Sequence, residues 1–328
     1  MAKTSEQDLT AHVLKGERRA VAKAITLVES VRVDERAAAE TLLDALLPHT
    51  GHAVRIGLSG APGVGKSTFI EAFGLHLLSL GHKVAVLAVD PSSARSGGSI
   101  LGDKTRMNLL ARESRAFIRP SPAGVTLGGV ARRTREAMLV VEAAGFDVVL
   151  VETVGVGQSE TAVADMVDMF ALLLAPGGGD DLQGIKRGIM ELADLVVVNK
   201  ADGDLEPAAR RAAADYTAAM HLMRAKYKNW QAPVLLASAV KGQGMEEIWQ
   251  SVQDFIASLV ETGERDQRRA SQAITWMWDE IEAGLRELLS ANADIKALKE
   301  QLEREVSTGA LSPASAARRI LALFHETS

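Results

Sequence analysis

The alternation of apolar and polar positions divides the chain into three stretches. From about residue 4 to residue 49, apolar side chains recur at helical spacing: Leu9, Val13, Leu14, Val21, Ile25 and Val28, then Ala37, Leu42, Leu43 and Leu46. Asp34 opens the second of these runs and is expected to cap its helix. From Ala53 short apolar runs alternate with longer helical ones. Strands are predicted near Val54–Leu58, Val84–Val89, Ala116–Arg119, Val148–Val151, Met169–Leu174, Leu195–Val198 and Val234–Leu236. Several are apolar at nearly every position, which demands burial on both faces. The pattern predicts an α/β fold with a mostly parallel sheet covered by helices. After about Thr262 the strands stop. A long helix over Glu264–Ser290 carries Ile274, Met277, Trp278, Ile281, Leu285 and Leu288; helices over Ile295–Val306 and Pro313–Phe324 follow. The expected division is a helical extension (1–50), an α/β domain (51–262) and a helical arm (263–328). The apolar stripe of the arm either packs on its own core or meets a second copy. Two neighbouring tryptophans favour an interface.

In a parallel sheet, ligands gather at the carboxyl ends of the strands. The first strand runs into GAPGVGKST, which is Gly60, Ala61, Pro62, Gly63, Val64, Gly65, Lys66, Ser67 and Thr68. This is a phosphate-binding loop in its required context, between a strand and a helix. Its glycines let backbone N–H groups converge on phosphate oxygens, Lys66 adds a full positive charge, and Ser67 offers a hydroxyl to Mg²⁺. A plain glycine-rich turn is the alternative.

The sixth strand ends in Asn199, Lys200, Ala201 and Asp202. A carboxylate at Asp202 accepts two hydrogen bonds from guanine, from the ring N–H and the exocyclic amine. Adenine lacks that amine and presents an acceptor where guanine has a donor, so it would leave the carboxylate unsatisfied. Asn199 is placed to bridge phosphate loop and base, and the Lys200 stem to cover the base face. After the seventh strand, Ser238, Ala239 and Val240 offer backbone N–H groups to the guanine carbonyl. A solvated polar loop is the alternative at each position, weakened by the upstream phosphate loop. The residues therefore imply GTP and GDP as ligands.

Asp90 ends the second strand, where a carboxylate holds a Mg²⁺-bound water. The Ser- and Gly-rich segment that follows contains Asp103, a metal candidate, and Arg106, a phosphate contact or an ordinary ion-pair member. Glu152 ends the fourth strand, where common GTPases have Asp, and is assigned to metal and catalysis. Gly155, three residues on, is placed to sense a γ-phosphate. Val156 stands where a water-orienting Gln sits in Ras-like GTPases, and nearby Gln158 is a weak substitute. Slow unassisted hydrolysis is expected. The segment Ala175–Gly188 combines glycines and carboxylates with Lys186, which is placed to meet developing phosphate charge.

Composition narrows the partners. The chain has 328 residues, 47% of them hydrophobic, with 37 basic and 42 acidic side chains and a net charge of −5. No basic excess points to nucleic acid. There is no cysteine, so disulfides and cysteine-based metal sites are excluded. His49 and His52 stand closest to ligand spacing and read as surface residues. The polar opening MAKTSEQDLT lacks a signal core and the apolar runs are too short to span a bilayer, so no membrane association and a cytoplasmic location are expected. Taken in order, the phosphate loop, Asp90-Pro-Ser-Ser, Glu152-Thr-Val-Gly-Val-Gly-Gln, Ala175-Pro-Gly-Gly-Gly-Asp, Asn199-Lys-Ala-Asp and the helical tail resemble the MeaB/ArgK family, which includes human MMAA. The resemblance spans nearly the whole chain. It implies a GTPase chaperone that gates adenosylcobalamin loading of methylmalonyl-CoA mutase and protects that enzyme. It also implies a homodimer built through the C-terminal arm, and three switch segments. A metal-insertion GTPase and a P-loop kinase are the rivals; missing Cys/His clusters weigh against the first and the guanine-reading loop against the second.

Overall fold

The structure is a computed structural model describing residues 6–30, 32–89, 107–120, 127–153, 159–176 and 187–327. Three helices open the chain: α1 (Glu6–Leu14), α2 (Arg18–Val28) and α3 (Val33–Leu46). There follow β1 (Val54–Gly60), α4 (Lys66–Ser79), β2 (Val84–Val89), α5 (Asn108–Arg112) and β3 (Ala116–Arg119). Next come α6 (Leu127–Ala143), β4 (Val148–Thr153), α7 (Ser159–Ala164), β5 (Met169–Leu174), α8 (Arg187–Leu192) and β6 (Leu195–Val198). Helix α9 (Glu206–His221), β7 (Val234–Leu236) and α10 (Met245–Thr262) complete the α/β portion, and α11 (Glu264–Ala291), α12 (Ala293–Ser307) and α13 (Pro313–Thr327) end the chain. Residue contacts divide it into two compact units, Met1–Arg269 and Ala270–Ser328.

The seven strands form one sheet, ordered β3-β2-β4-β1-β5-β6-β7, and every pairing is parallel. All fall where the apolar runs predicted them, with β1 and β4 each running two residues further. β2, β4, β5 and β6 are buried at every position, because helices cover both faces. On one face Phe69, Ile70, Phe73 and Leu77 of α4 and Trp249, Val252 and Phe255 of α10 pack on Ile56, Leu58, Leu150 and Leu173. Burying a side chain of this size contributes about 1.5–3 kcal/mol. On the other face α7 lies so close to β1 that a Cβ on Gly57 would come within 2.7 Å of Val163. The chain leaves β1 toward β2 and leaves β4 toward β5, on opposite sides of β1. The connections thus diverge at the carboxyl ends of β1 and β4, which opens a crevice there.

The N-terminal helices belong to the same compact unit as the sheet, with Val13, Val21, Ile25, Leu42 and Leu46 buried. Asp34 does not cap α3. The helix starts one residue earlier, at Val33, and Arg32 holds the Asp34 carboxylate from the cap position at 2.6 Å. An aspartate in the first turn still favours the helix dipole, which explains its place in the pattern.

In the second unit Ile295, Leu302 and Ala316 are buried, and the Asn292 side chain caps α12 by accepting from the N–H groups of Asp294 and Ile295 at 3.0 Å. The stripe Ile274, Met277, Trp278, Ile281, Leu285 and Leu288 stays exposed, at 41–59%. Among the described residues no helix is long and apolar enough to cross a membrane.

Charges fasten the amino edge of the sheet. Asp168, 1% exposed, accepts the Arg55 backbone N–H at 2.9 Å and two guanidinium N–H groups of Arg269 at 2.6 and 2.7 Å. Arg269 also donates to the carbonyls of Gly51 and Ala53, and the Arg55 side chain pairs with buried Glu142. Burial pushes the Asp168 carboxyl up, but the Arg269 hydrogen bonds and charge outweigh that and hold it below the usual aspartate value. A depressed carboxyl stabilises the fold above its unfolded value and loses that contribution as pH falls through its folded value. Asp168→Ala is therefore expected to cost about 3–5 kcal/mol at neutral pH, because it strands a buried guanidinium. The cost should shrink as pH falls below about 4, where the unfolded chain's carboxyl protonates first and the folded one follows at lower pH. Urea unfolding followed by tryptophan fluorescence at several pH values checks both; a cost independent of pH would contradict the assignment.

Candidate nucleotide site

The crevice at the carboxyl ends of β1 and β4 is where the phosphate loop lies. Residues 61–65 connect β1 to α4, and the backbone passes through the left-handed region at Gly63 (φ 82°) and Gly65 (φ 91°). Only glycine takes that conformation without strain. At Gly65 space is also lacking, since a Cβ would stand 2.9 Å from the Asn199 amide nitrogen. Ala61, Pro62 and Gly63 are exposed while Val64 is buried at 2% and anchors the loop in the core. The first turn of α4 holds no acidic side chain of its own, so its N–H groups and positive dipole end face the loop. Lys66 is folded back, its Nζ donating to the carbonyls of Gly60 at 2.6 Å and Ala61 at 3.3 Å. Burial pushes its ammonium below the ordinary lysine value, and the carboxylates of Glu152 and Glu160 pull it back up. An ammonium that donates to carbonyls can exchange them for phosphate oxygens. Thr68, beside it, is exposed.

Ser67 donates its hydroxyl to Glu152 Oε1 at 3.3 Å. Glu152 is 4% exposed and stands in register between Leu58 of β1 and Ala88 of β2. A hydroxyl and a carboxylate beside a phosphate loop form a hard-oxygen donor set, which fits Mg²⁺ and suits no soft metal. Asp90, Asp103, Arg106, Gly155, Val156, Gln158 and Lys186 lie outside the described residues.

Across the crevice, the loop after β6 is locked to the phosphate loop by side chains. Asn199 is 1% exposed; its Nδ2 donates to the Val64 carbonyl at 3.0 Å and its Oδ1 accepts the Ala239 N–H at 3.2 Å. Lys200 holds a left-handed backbone (φ 58°), which is strained for a side-chain residue, and its Nζ donates to the Gly63 carbonyl at 2.7 Å. Asp202 is half-buried, and Ser238 donates its hydroxyl to Asp202 Oδ1 at 2.7 Å. The structure alters the expectation for the second base loop. The Ser238 N–H is spent on the Gln243 carbonyl and the Ala239 N–H on Asn199. Val240, 82% exposed, is the position of the three left facing outward. Ser238 thus acts here through its hydroxyl, fixing one oxygen of the Asp202 carboxylate and leaving the other open.

Two features escape a reading of the sequence. Thr153 donates its hydroxyl to Ser59 at 2.9 Å, both side chains being buried, which ties β4 to β1 just before they diverge. Glu160 in α7 is buried at 2%. An acidic residue opening a helix reads as an ordinary dipole partner, and only the packing of α7 shows it turned inward.

The comparisons agree with this geometry. The family described as "Methylmalonyl Co-A mutase-associated GTPase MeaB" matches residues 21–294. The chain is 51% identical to GTPase ArgK of Escherichia coli, over 93% of this chain and 92% of that one. It is 49% identical to the mitochondrial methylmalonic aciduria type A homolog of Mus musculus, over 95% of this chain and 78% of that one. Among solved structures, one titled as a LAO/AO transport system kinase superposes with a TM-score of 0.78 at 41% identity, covering 99% of both chains. A parallel sheet with a phosphate loop at its switch point, the Asn199–Asp202 loop bonded to it, and these relatives together mean that the chain belongs to the MeaB family of mutase-associated GTPases.

Proposed function

We propose that this GTPase is a switch that gates adenosylcobalamin loading of methylmalonyl-CoA mutase and protects that enzyme. The observation that carries the guanine-nucleotide part is the hydrogen-bonded frame joining the phosphate loop, Asn199, Ala239, Ser238 and Asp202. In this reading the backbone N–H groups of Gly63, Gly65, Lys66 and Ser67 and the Lys66 ammonium hold the phosphates, and the outer oxygen of Asp202 accepts from the base. Ser67 and Glu152 hold Mg²⁺, which would neutralise phosphate charge when bound. Asp90 and Asp103 are its further candidates by sequence. The mutase part is supported by the family's description and by the murine relative's name. The transport-kinase title of the solved relative suggests transfer to a protein or small molecule, but a frame built to present Asp202 to guanine favours the GTPase reading.

The exposed stripe of α11 supports a homodimer. Six large apolar side chains at three- and four-residue spacing along one helix make a seam that a second copy would cover. The location is proposed to be cytoplasmic.

Three outcomes follow. Asp202→Asn replaces an acceptor with a donor, so GDP binding should weaken about a hundredfold or more while xanthosine diphosphate binding improves; calorimetric titration with both nucleotides checks this, and unchanged GDP affinity would place the base elsewhere. Mixed with methylmalonyl-CoA mutase, the protein should be retained on an affinity column in a nucleotide-dependent way and turn over GTP faster. Absence of both retention and stimulation would refute the partner. Trp278→Asp should convert a dimer to monomer in sedimentation velocity, whereas a wild-type monomer would exclude the α11 seam.

A further inference from the structure

β7 ends the sheet, and among the described residues it pairs with β6 alone. The Pro233 carbonyl accepts from the Val196 N–H and the Ala237 N–H donates to the Val198 carbonyl, so the backbone of every second residue from Pro233 turns toward β6. Alternation turns the N–H and carbonyl of Val234 to the outer side, where no strand follows. Val234, Leu235 and Leu236 are only half-buried, unlike the central strands. Beside this edge runs a groove of about 610 Å³, with Trp230, Pro233 and Leu235 on one wall and α10 on the other. Trp230 is a fixed platform. Its indole N–H donates to the Asp194 carbonyl at 2.9 Å, and its ring meets Phe255 edge-on with centroids 5.1 Å apart.

The α10 wall is acidic. It presents Glu246, Glu247 and Asp254, all exposed, and no basic side chain lines the groove among the described residues. Taken alone these acids make an ordinary helix face: Glu246 and Glu247 suit the positive end of the helix dipole, and Asp254 accepts from the Gln250 amide at 2.8 Å. Ser251 sets the wall apart. It lies four residues after Glu247 and three before Asp254, so the three share a face of the helix. It lines the groove, is 8% exposed, and its Oγ has no hydrogen-bond partner. A buried hydroxyl left unpaired costs stability, and a ligand in the groove would relieve that cost.

We propose that this groove binds an extended, lysine- or arginine-rich segment of a protein partner, which adds to the free edge of β7. Val234 supplies two main-chain hydrogen bonds, and alternate side chains of the added segment enter the groove. Their methylene stems lie on Trp230 and Leu235 while their cationic heads reach Glu247 and Asp254 and donate to Ser251 Oγ. The carboxylates repel nucleic acid and anionic lipid from the same place. None of these residues belongs to the nucleotide site, so the surface is a second one.

The test titrates the full-length chain into three fluorescein-labelled hexapeptides and follows anisotropy at about 0.15 M salt, where non-specific attraction is screened. One peptide alternates lysine with valine, one alternates glutamate with valine, and one carries proline in place of each valine of the first. The lysine–valine peptide should bind, and the glutamate–valine peptide should bind at least about tenfold more weakly. The lysine–proline peptide keeps the charge but loses main-chain donors, so it too should bind at least about tenfold more weakly. The double variant Glu246→Gln, Glu247→Gln should weaken the lysine–valine peptide about fivefold. Ser251→Ala should weaken it about fivefold while leaving the melting temperature of the free protein no lower, since no internal hydrogen bond is lost. Circular dichroism checks that both variants are folded. No binding of the lysine–valine peptide would overturn the proposal. Equal binding of the lysine–proline peptide would also overturn it, because that reports attraction of charge without addition to the strand.

Discussion

One buried amide sets the geometry of the nucleotide site. Asn199 is packed where water cannot compensate for a lost hydrogen bond, and its two ends are committed to two different loops. Its Nδ2 holds the phosphate loop at Val64 and its Oδ1 holds the second base loop at Ala239. Aspartate there would lose the donor, and a longer amide would not fit beside Gly65, whose absent Cβ leaves room for Nδ2. The spacing between the phosphate loop and the loops after β6 and β7 is thereby built into the fold. The strained backbone of Lys200 persists for the same reason, because neighbouring bonds over-determine it.

This frame is mounted on a sheet whose own position is fixed from below. Asp168, Arg269, Arg55 and Glu142 close the amino edge with buried, mutually satisfied charges. The carboxyl edge is left for chemistry. Among the described residues it holds a lysine turned onto carbonyls and a carboxylate beside a serine hydroxyl.

Much of this was legible in the residues. Strands such as VAVLAV and MFALLL can be stable only if buried on both faces, and that requirement alone led to a parallel sheet with helices on either side. The phosphate loop and the Asn199–Asp202 loop were legible because their chemistry needs particular types at fixed spacing. What stayed hidden depended on which way a side chain turns. Asp34 had the composition of a cap but sits inside the first turn, where the dipole welcomes it equally. The N–H groups of Ser238 and Ala239 were open to the base on paper, and tertiary hydrogen bonds claimed them. Glu160 could not be told from a surface acid until α7 was placed against β1. Sequence spacing reports periodicity along an element, whereas these three depend on contacts between elements.

The central claim is that this frame reads guanine. It is tested most directly by titrating the wild-type protein with GDP and with ADP under the same Mg²⁺ concentration. A carboxylate fixed by Ser238 and left unsatisfied by adenine predicts that GDP binds at least about a thousandfold more tightly. Affinities within tenfold of each other would contradict it.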